Sequence, residues 1–250
     1  MTDYAIELNG VSKSYRFFEL QNIALRLHRG TIMGLIGPNG AGKSTLFAII
    51  SGFLRPNAGR VFYDGASVLG EPPHRLAHRG IARTFQIAQP FYGLTVRENI
   101  AVGSHLSRPN RAAALAAAGD VARAVGLGAL VDRPCANLTV AGRKRLELAR
   151  VLATEPRLVL LDEVLAGLNP TEIQGMIPVI RAVRDRGITV LMIEHVMEAV
   201  MSLAEHVFVL SEGHMIAEGA PQAIAVNAHV VEAYLGRGAA ARIVAGAGHA

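Results

Sequence analysis

Nine consecutive residues, Gly37-Pro38-Asn39-Gly40-Ala41-Gly42-Lys43-Ser44-Thr45, carry the spacing G-x-x-x-x-G-K-[ST]. The chemistry of that spacing is phosphate binding. Its glycines let successive backbone N–H groups converge on phosphate oxygens, and a helix opening at the end of the loop adds the positive end of its dipole. Lys43 would place a point charge on the β- and γ-phosphates, and Ser44 would offer a hydroxyl to Mg2+. A second set closes the run Leu158-Val159-Leu160-Leu161-Asp162-Glu163. An apolar strand delivers its last residues to the sheet edge where doubly wound α/β folds bind ligands. There Asp162 would hold Mg2+, directly or through water, and Glu163 would polarise an attacking water.

Both sets need a sheet with helices around it, and the rest of the chain supplies one. Residues 5–8 and 23–27 alternate apolar and polar side chains, as half-buried strands do. The run 31–36 is continuously apolar up to the glycine loop, and 44–51 follows as a helix. Residues 60–63 and 81–85 read as strands, with a short helix over 72–79 between them. From Gln86 to Pro156 no strand signal appears. The stretch 96–126 is alanine-rich with helical spacing, and 143–153 is a second helical stretch. Strand and helix then alternate: strand 158–161, helix 171–185, strand 188–193, helix 196–203, strand 207–210. Nearly continuous apolar strands alternating with helices predict an α/β fold with a mostly parallel sheet covered on both faces. The glycine- and alanine-rich tail after Gly236 is expected to be frayed.

Composition sets the outer bounds. The chain has 250 residues, 51% of them hydrophobic and 18% charged, so it is not disordered. Apolar runs end early, at Asp162-Glu163 and at Glu194-His195, well short of the roughly 18 residues a membrane span requires. The opening MTDYAIELNG has no basic stretch followed by an apolar one, so no secretory signal is expected. One cysteine, Cys135, excludes an internal disulfide and fits a reducing compartment. A net charge of +5 admits anionic partners. Lysine is rare, at positions 13, 43 and 144 only. Lys43 has the task above, while Lys13 and Lys144 read as background in an arginine-rich composition.

With these motifs in place, the chain resembles the ATP-binding cassette (ABC) ATPases along nearly its whole length. The resemblance implies a P-loop NTPase core of RecA-like type, an N-terminal antiparallel β-subdomain and an inserted α-helical subdomain. Residues 1–86 and 154–236 would form the core, 87–153 the helical signature subdomain, and 237–250 a flexible tail. It implies ATP and Mg2+ as ligands, the former cradled by Gly37 to Thr45. Tyr15, 28 residues before Lys43, resembles the aromatic that stacks on adenine, with Phe17 and Phe18 as competitors for that place. Gln86, in Arg83-Thr84-Phe85-Gln86, resembles the glutamine that senses Mg2+ and the attacking water. His195 resembles the switch histidine at the γ-phosphate. The signature loop, normally Leu-Ser-Gly-Gly-Gln, reads Leu138-Thr139-Val140-Ala141-Gly142 here. Thr139 keeps a hydroxyl, Ala141 replaces the second glycine, and Gly142 the glutamine. In the family, this loop meets the ATP of a partner cassette, so Thr139 and Gly142 would contact nucleotide across a dimer. Asn169 stands where aspartate is usual in Ala166-Gly167-Leu168-Asn169.

Within the family, Ala82 to Gln86, Gly93 to Asn99, Ala166 to Pro170 and the ending Val231-Glu232-Ala233-Tyr234-Leu235-Gly236 resemble the branched-chain amino acid importer ATPases. That implies a peripheral subunit on the inner, cytoplasmic face of the cell membrane, bound to integral-membrane permease subunits. The altered signature favours a second, distinct ATPase subunit as dimer partner, a homodimer being the alternative. The gripping surface would lie around residues 87–95, where Pro90, Phe91, Tyr92 and Leu94 suit a permease helix or, alternatively, pack within the helical subdomain. A lipid or lipopolysaccharide exporter ATPase, and a soluble ABC ATPase acting on nucleic acid, are the other readings. No nucleic-acid partner is expected, since no stripe of aromatic and basic residues supports one.

Overall fold

The computed structural model describes residues 3–86 and 89–235. Ile87 and the tail after Leu235 lie outside the described residues. Two sheets stand at the centre. The first is antiparallel, in the order β2-β1-β4-β5, from β1 (Tyr4–Ser14), β2 (Glu19–His28), β4 (Ala58–Tyr63) and β5 (Ala66–Ser67). The second has six strands: β3 (Ile32–Ile36), β6 (Ile81–Arg83), β7 (Leu158–Asp162), β8 (Thr189–Ile193), β9 (His206–Ser211) and β10 (His214–Gly219). Its order is β10-β9-β3-β8-β7-β6. All neighbours are parallel except β9 and β10.

The apolar strands explain why this sheet lies in the middle. Met33, Leu35, Leu158, Leu160, Leu191 and Ile193 pack toward the antiparallel sheet. Their chain neighbours Ile32, Val159, Leu161, Val190 and Met192 pack toward the helices on the other side. Successive side chains of a strand point to opposite faces, so a strand buried on both faces must be apolar at every position. Helix α1 (Lys43–Ile50) lies in the first core through Leu46, Phe47, Ile49 and Ile50.

The helical stretch 96–126 is two helices, α3 (Val96–Ser104) and α4 (Arg111–Ala124). The break falls where Pro109 precedes Asn110, whose side chain caps α4 by accepting the amides of Ala112 and Ala113. Thr95 and Glu98 form a capping box at the start of α3. Helix α5 (Val140–Leu152) starts three residues before the expected 143, because Thr139 is its N-cap and accepts from the Gly142 amide at 3.1 Å. Beyond it come α6 (Pro170–Asp185) and α7 (Met197–Leu203). The pattern did not reveal β5, β10 or the two closing helices α8 (Pro221–Ala225) and α9 (Ala228–Leu235). They are short, and β10 is only partly buried, so their period is weak. The remaining short helix, α2 (Pro73–Arg79), begins on a proline and ends at Gly80.

Candidate nucleotide-hydrolysis site

The glycine loop joins β3 to α1, as its spacing requires. Gly37 has φ 148°, and a Cβ there would lie 1.9 Å from the Leu210 carbonyl oxygen, so no other residue fits. Gly42 has φ 107° and abuts the Phe18 ring. The loop is also held from outside, by the Gly213 amide donating to the Ala41 carbonyl. Lys43 is almost fully buried. Its ammonium donates to the carbonyls of Gly37 at 2.7 Å and Pro38 at 3.0 Å. Burial lowers its pKa, while Glu163 and Asp162 oppose that shift. Lys43 is therefore already aimed over its own loop, with two carboxylates balancing its charge. Ser44 is exposed beside it. Tyr15 lies on the β1–β2 hairpin, half-exposed and 6.3 Å from the Phe18 ring, whereas Phe17 is 90% exposed at the hairpin tip. The ammonium of Lys13 sits 5.7 Å from the Tyr15 ring centre.

At the end of β7, Asp162 is 4% exposed and pairs with Arg83 at 2.7 Å. The Arg83 guanidinium lies 5.6 Å from the Phe47 ring centre and 5.4 Å from that of Phe85. Thr84 fixes the Asp162 backbone by accepting its amide at 2.9 Å. The next residue, Glu163, takes φ 50°, a left-handed conformation that is strained for a residue with a Cβ. Its amide donates to the Ile193 carbonyl, which fixes the strained turn. Its carboxylate receives the Gln86 side-chain amide at 2.8 Å on one oxygen and meets His195 Nε2 at 3.0 Å on the other. With its proton on Nε2, His195 donates to Glu163. Three segments far apart in sequence thus converge on one carboxylate.

Ser44, Gln86 and Asp162 line a single cavity of about 960 Å3. They offer a hydroxyl, an amide oxygen and a carboxylate, the hard oxygen donors Mg2+ selects. The buried Asp162 already takes a cation, the Arg83 guanidinium, so the donor set suits a positive ion. The same cavity is also lined by Phe53, Phe85, Phe91 and Arg150. Of the apolar residues expected to grip a partner, Phe91 and Tyr92 are about half-exposed, while Pro90 is buried and Leu94 partly so. The segment is thus partly exposed and partly packed.

Thr139 and Gly142 stand at the outer end of α5, with Thr139 exposed. Capping uses one lone pair of the Thr139 hydroxyl and leaves its proton free to donate. Gly142 has little room for a side chain, since a Cβ would lie 3.2 Å from that of Leu138. Asn169 caps α6 in a box with Glu172, a role that does not need the aspartate charge.

Four residues around the site escaped the sequence reading. Arg83 is the counter-ion of Asp162. Lys144, read as compositional background, is a correction: it is 7% exposed, and its ammonium donates to the carbonyls of Gln86 and Glu163, both at 3.1 Å. Glu147, 8% exposed, accepts the Phe85 amide at 2.5 Å, and burial raises its pKa. Glu194, 1% exposed, accepts the Leu165 amide at 2.9 Å; burial above all, with Glu163 adding, raises its pKa to about 7. The available signal was spacing: Lys144, Glu147 and Arg150 recur every three residues in a helix otherwise apolar on its buried side.

Comparisons with known proteins agree with this geometry. The ABC transporter family model matches residues 20–166, and a model described as branched-chain amino acid ATP-binding cassette transporter matches residues 214–240. The high-affinity branched-chain amino acid transport ATP-binding protein BraF of Pseudomonas aeruginosa is 34% identical over 92% of this chain and 97% of its own. LivG of Escherichia coli, of the same description, is 34% identical over 94% of this chain and 99% of its own. A crystal structure titled as the ADP conformation of an ATP-binding cassette of an ABC transporter superposes with a TM-score of 0.86 at 30% identity. It covers 94% of this chain and all of that one.

Proposed function

The chain belongs to the ABC transporter family of ATP-binding cassettes, and from that membership we propose that it is the ATP-hydrolysing subunit of an importer for branched-chain or related amino acids. The observation that carries the hydrolysis chemistry is the Glu163 carboxylate, placed directly after Asp162 and oriented by Gln86 and His195 together. In this reading Gly37, Pro38, Asn39, Gly40, Ala41, Gly42 and Thr45 cradle the ATP phosphates, with Lys43 neutralising the γ-phosphate. Tyr15 stacks on adenine from the β1–β2 hairpin. Ser44, Asp162 and Gln86 would hold Mg2+. When bound, the ion would neutralise charge on the β- and γ-phosphates. Glu163 accepts the proton of the attacking water, and His195 and Gln86 keep its carboxylate pointed at that water. Residues 87–153 serve as the signature subdomain and the remaining described residues as the core.

The same reading makes the chain a peripheral subunit on the inner, cytoplasmic face of the membrane. No helix among the described residues is long and apolar enough to cross one. The permease would dock in the cavity flanked by Phe53, Phe85 and Phe91. Thr139 and Gly142 would meet ATP on a partner cassette, and the altered signature supports a partner that is a different ATPase subunit. Native mass spectrometry of the transporter tests that pairing: two different cassettes support it, and a fully active complex with two copies of this chain overturns it. Uptake of labelled leucine, isoleucine and valine tests the solute. Cells deleted for this chain should lose energy-dependent uptake, and unchanged uptake of all three overturns the assignment.

A further inference from the structure

Lys144, Glu147 and Arg150 share one face of α5 because residues three apart on a helix are neighbours. Each reaches the main chain of the segment around Gln86. Glu147 accepts from the Phe85 amide at 2.5 Å. Lys144 donates to the Gln86 carbonyl at 3.1 Å. Arg150 donates to the Gln89 carbonyl at 2.8 Å, with its guanidinium 4.9 Å from the Phe91 ring centre. Lys144 alone makes a second bond, to the Glu163 carbonyl at 3.1 Å. A buried ammonium is costly unless its donors are satisfied, and these two carbonyls are its acceptors. The contacts hold backbone rather than side chains, so they set where Gln86 and Glu163 sit while leaving both side chains free for chemistry.

We propose that Lys144 is a positioning residue for ATP hydrolysis. One ammonium fastens the main chain of Gln86 and of Glu163 to α5, and so fixes the separation of the two side chains that face the attacking water. It also ties both to the helix that Thr139 caps, so a shift of α5 at the dimer interface moves the catalytic carboxylate with it. The inference rests on reading Glu163 as the base.

The test compares Lys144→Met, which keeps the stem and loses the donors, with Lys144→Arg, which keeps donors and charge. The full-length chain is assayed for kcat, KM for ATP and affinity for a fluorescent ATP analogue. Hydrogen bonds to charged groups are worth enough that Lys144→Met should lower kcat roughly tenfold to a hundredfold. KM and analogue affinity should stay within about twofold, because the nucleotide contacts belong to another loop. Lys144→Arg should recover most of the turnover. Hydrogen–deuterium exchange provides a readout independent of turnover. In Lys144→Met, peptides spanning 84–92 should exchange faster, and those spanning 37–50 should not change. Wild-type kcat in Lys144→Met, an equal loss in Lys144→Arg, or faster exchange in both loops overturns the proposal. Glu163→Gln run in parallel separates the two readings. Retained turnover there removes Glu163 as base, whereas loss there with unaffected Lys144→Met removes only the role of Lys144.

Discussion

The glycine loop and the Gln86 segment serve the same pair of carboxylates but are built by opposite means. The loop is held through backbone groups. Lys43 bonds carbonyls only five and six residues away, and the β9–β10 hairpin braces the loop with the Leu210 carbonyl against Gly37 and the Gly213 amide on the Ala41 carbonyl. The Gln86 segment is held by distant side chains. Glu147, Lys144 and Arg150 lie 62, 58 and 61 residues from the atoms they hold, and Glu163 lies 77 residues from Gln86. A site element held by its own backbone and by the adjoining central sheet keeps its shape. One built from side chains of another helix follows that helix. The glycine loop is therefore tied to the central sheet, whereas the Gln86 segment is tied to α5.

The largest test of this contrast is Glu163→Gln, where the two constructions meet. Loss of a general base costs about 10²–10⁴ in turnover, while the glycine loop should still bind ATP. Dimers loaded with ATP should therefore accumulate on size exclusion, and undiminished turnover breaks the scheme. Next is Glu194→Gln, which probes the buried floor beneath Glu163. The folded chain holds the Glu194 proton up to pH about 7, against 4.5 for an ordinary glutamate. Its contribution is therefore complete below pH 4.5 and lost as the pH rises through 7. Relative to the glutamine variant, the native chain should lose about 3 kcal/mol of stability across that window. Denaturant titrations at pH 4.5, 6 and 8 measure this, and parallel profiles for the two proteins refute it.

Lys43→Ala confines damage to the glycine loop. ATP affinity should fall by about 2 kcal/mol, the worth of a charged hydrogen bond, while exchange of peptides around Gln86 stays unchanged. Calorimetry measures the first, and retained affinity counts against the loop as the phosphate site. The smallest effect is expected at Ala141→Gly, on the outer end of α5. If the extra Cβ holds the partner nucleotide off, partner-stimulated hydrolysis should rise by a few-fold, by roughly the 1 kcal/mol of a single relieved contact. No change means that this half of the dimer tolerates its altered signature.

Legibility in the sequence followed the same division. Gly37 to Thr45, Asp162 and Glu163 were readable because their geometry is local: a strand, a turn and a helix start within ten residues. The central sheet was readable because a strand buried on both faces must be apolar throughout. Gln86, His195 and Tyr15 needed the family resemblance, since a lone glutamine or histidine has no spacing to betray it. Their convergence on one carboxylate, for Gln86 and His195, appears only in three dimensions. Lys144 was misread because its acceptors are carbonyls, and every residue has one; nothing in composition marks which carbonyl a lysine will find. β10 and the closing helices were missed because they are short and half-exposed, which weakens any period.

The amino-acid sequence by itself determined the glycine loop, the acidic pair and the layered α/β core. Each depends on residue types within one or two elements. Tertiary structure alone decided what holds the Glu163 carboxylate. It placed Arg83 on Asp162, Glu194 under the turn after Glu163, and Lys144 between two carbonyls. Those pairings join chain segments tens of residues apart, and only the closed fold sets the distances between them.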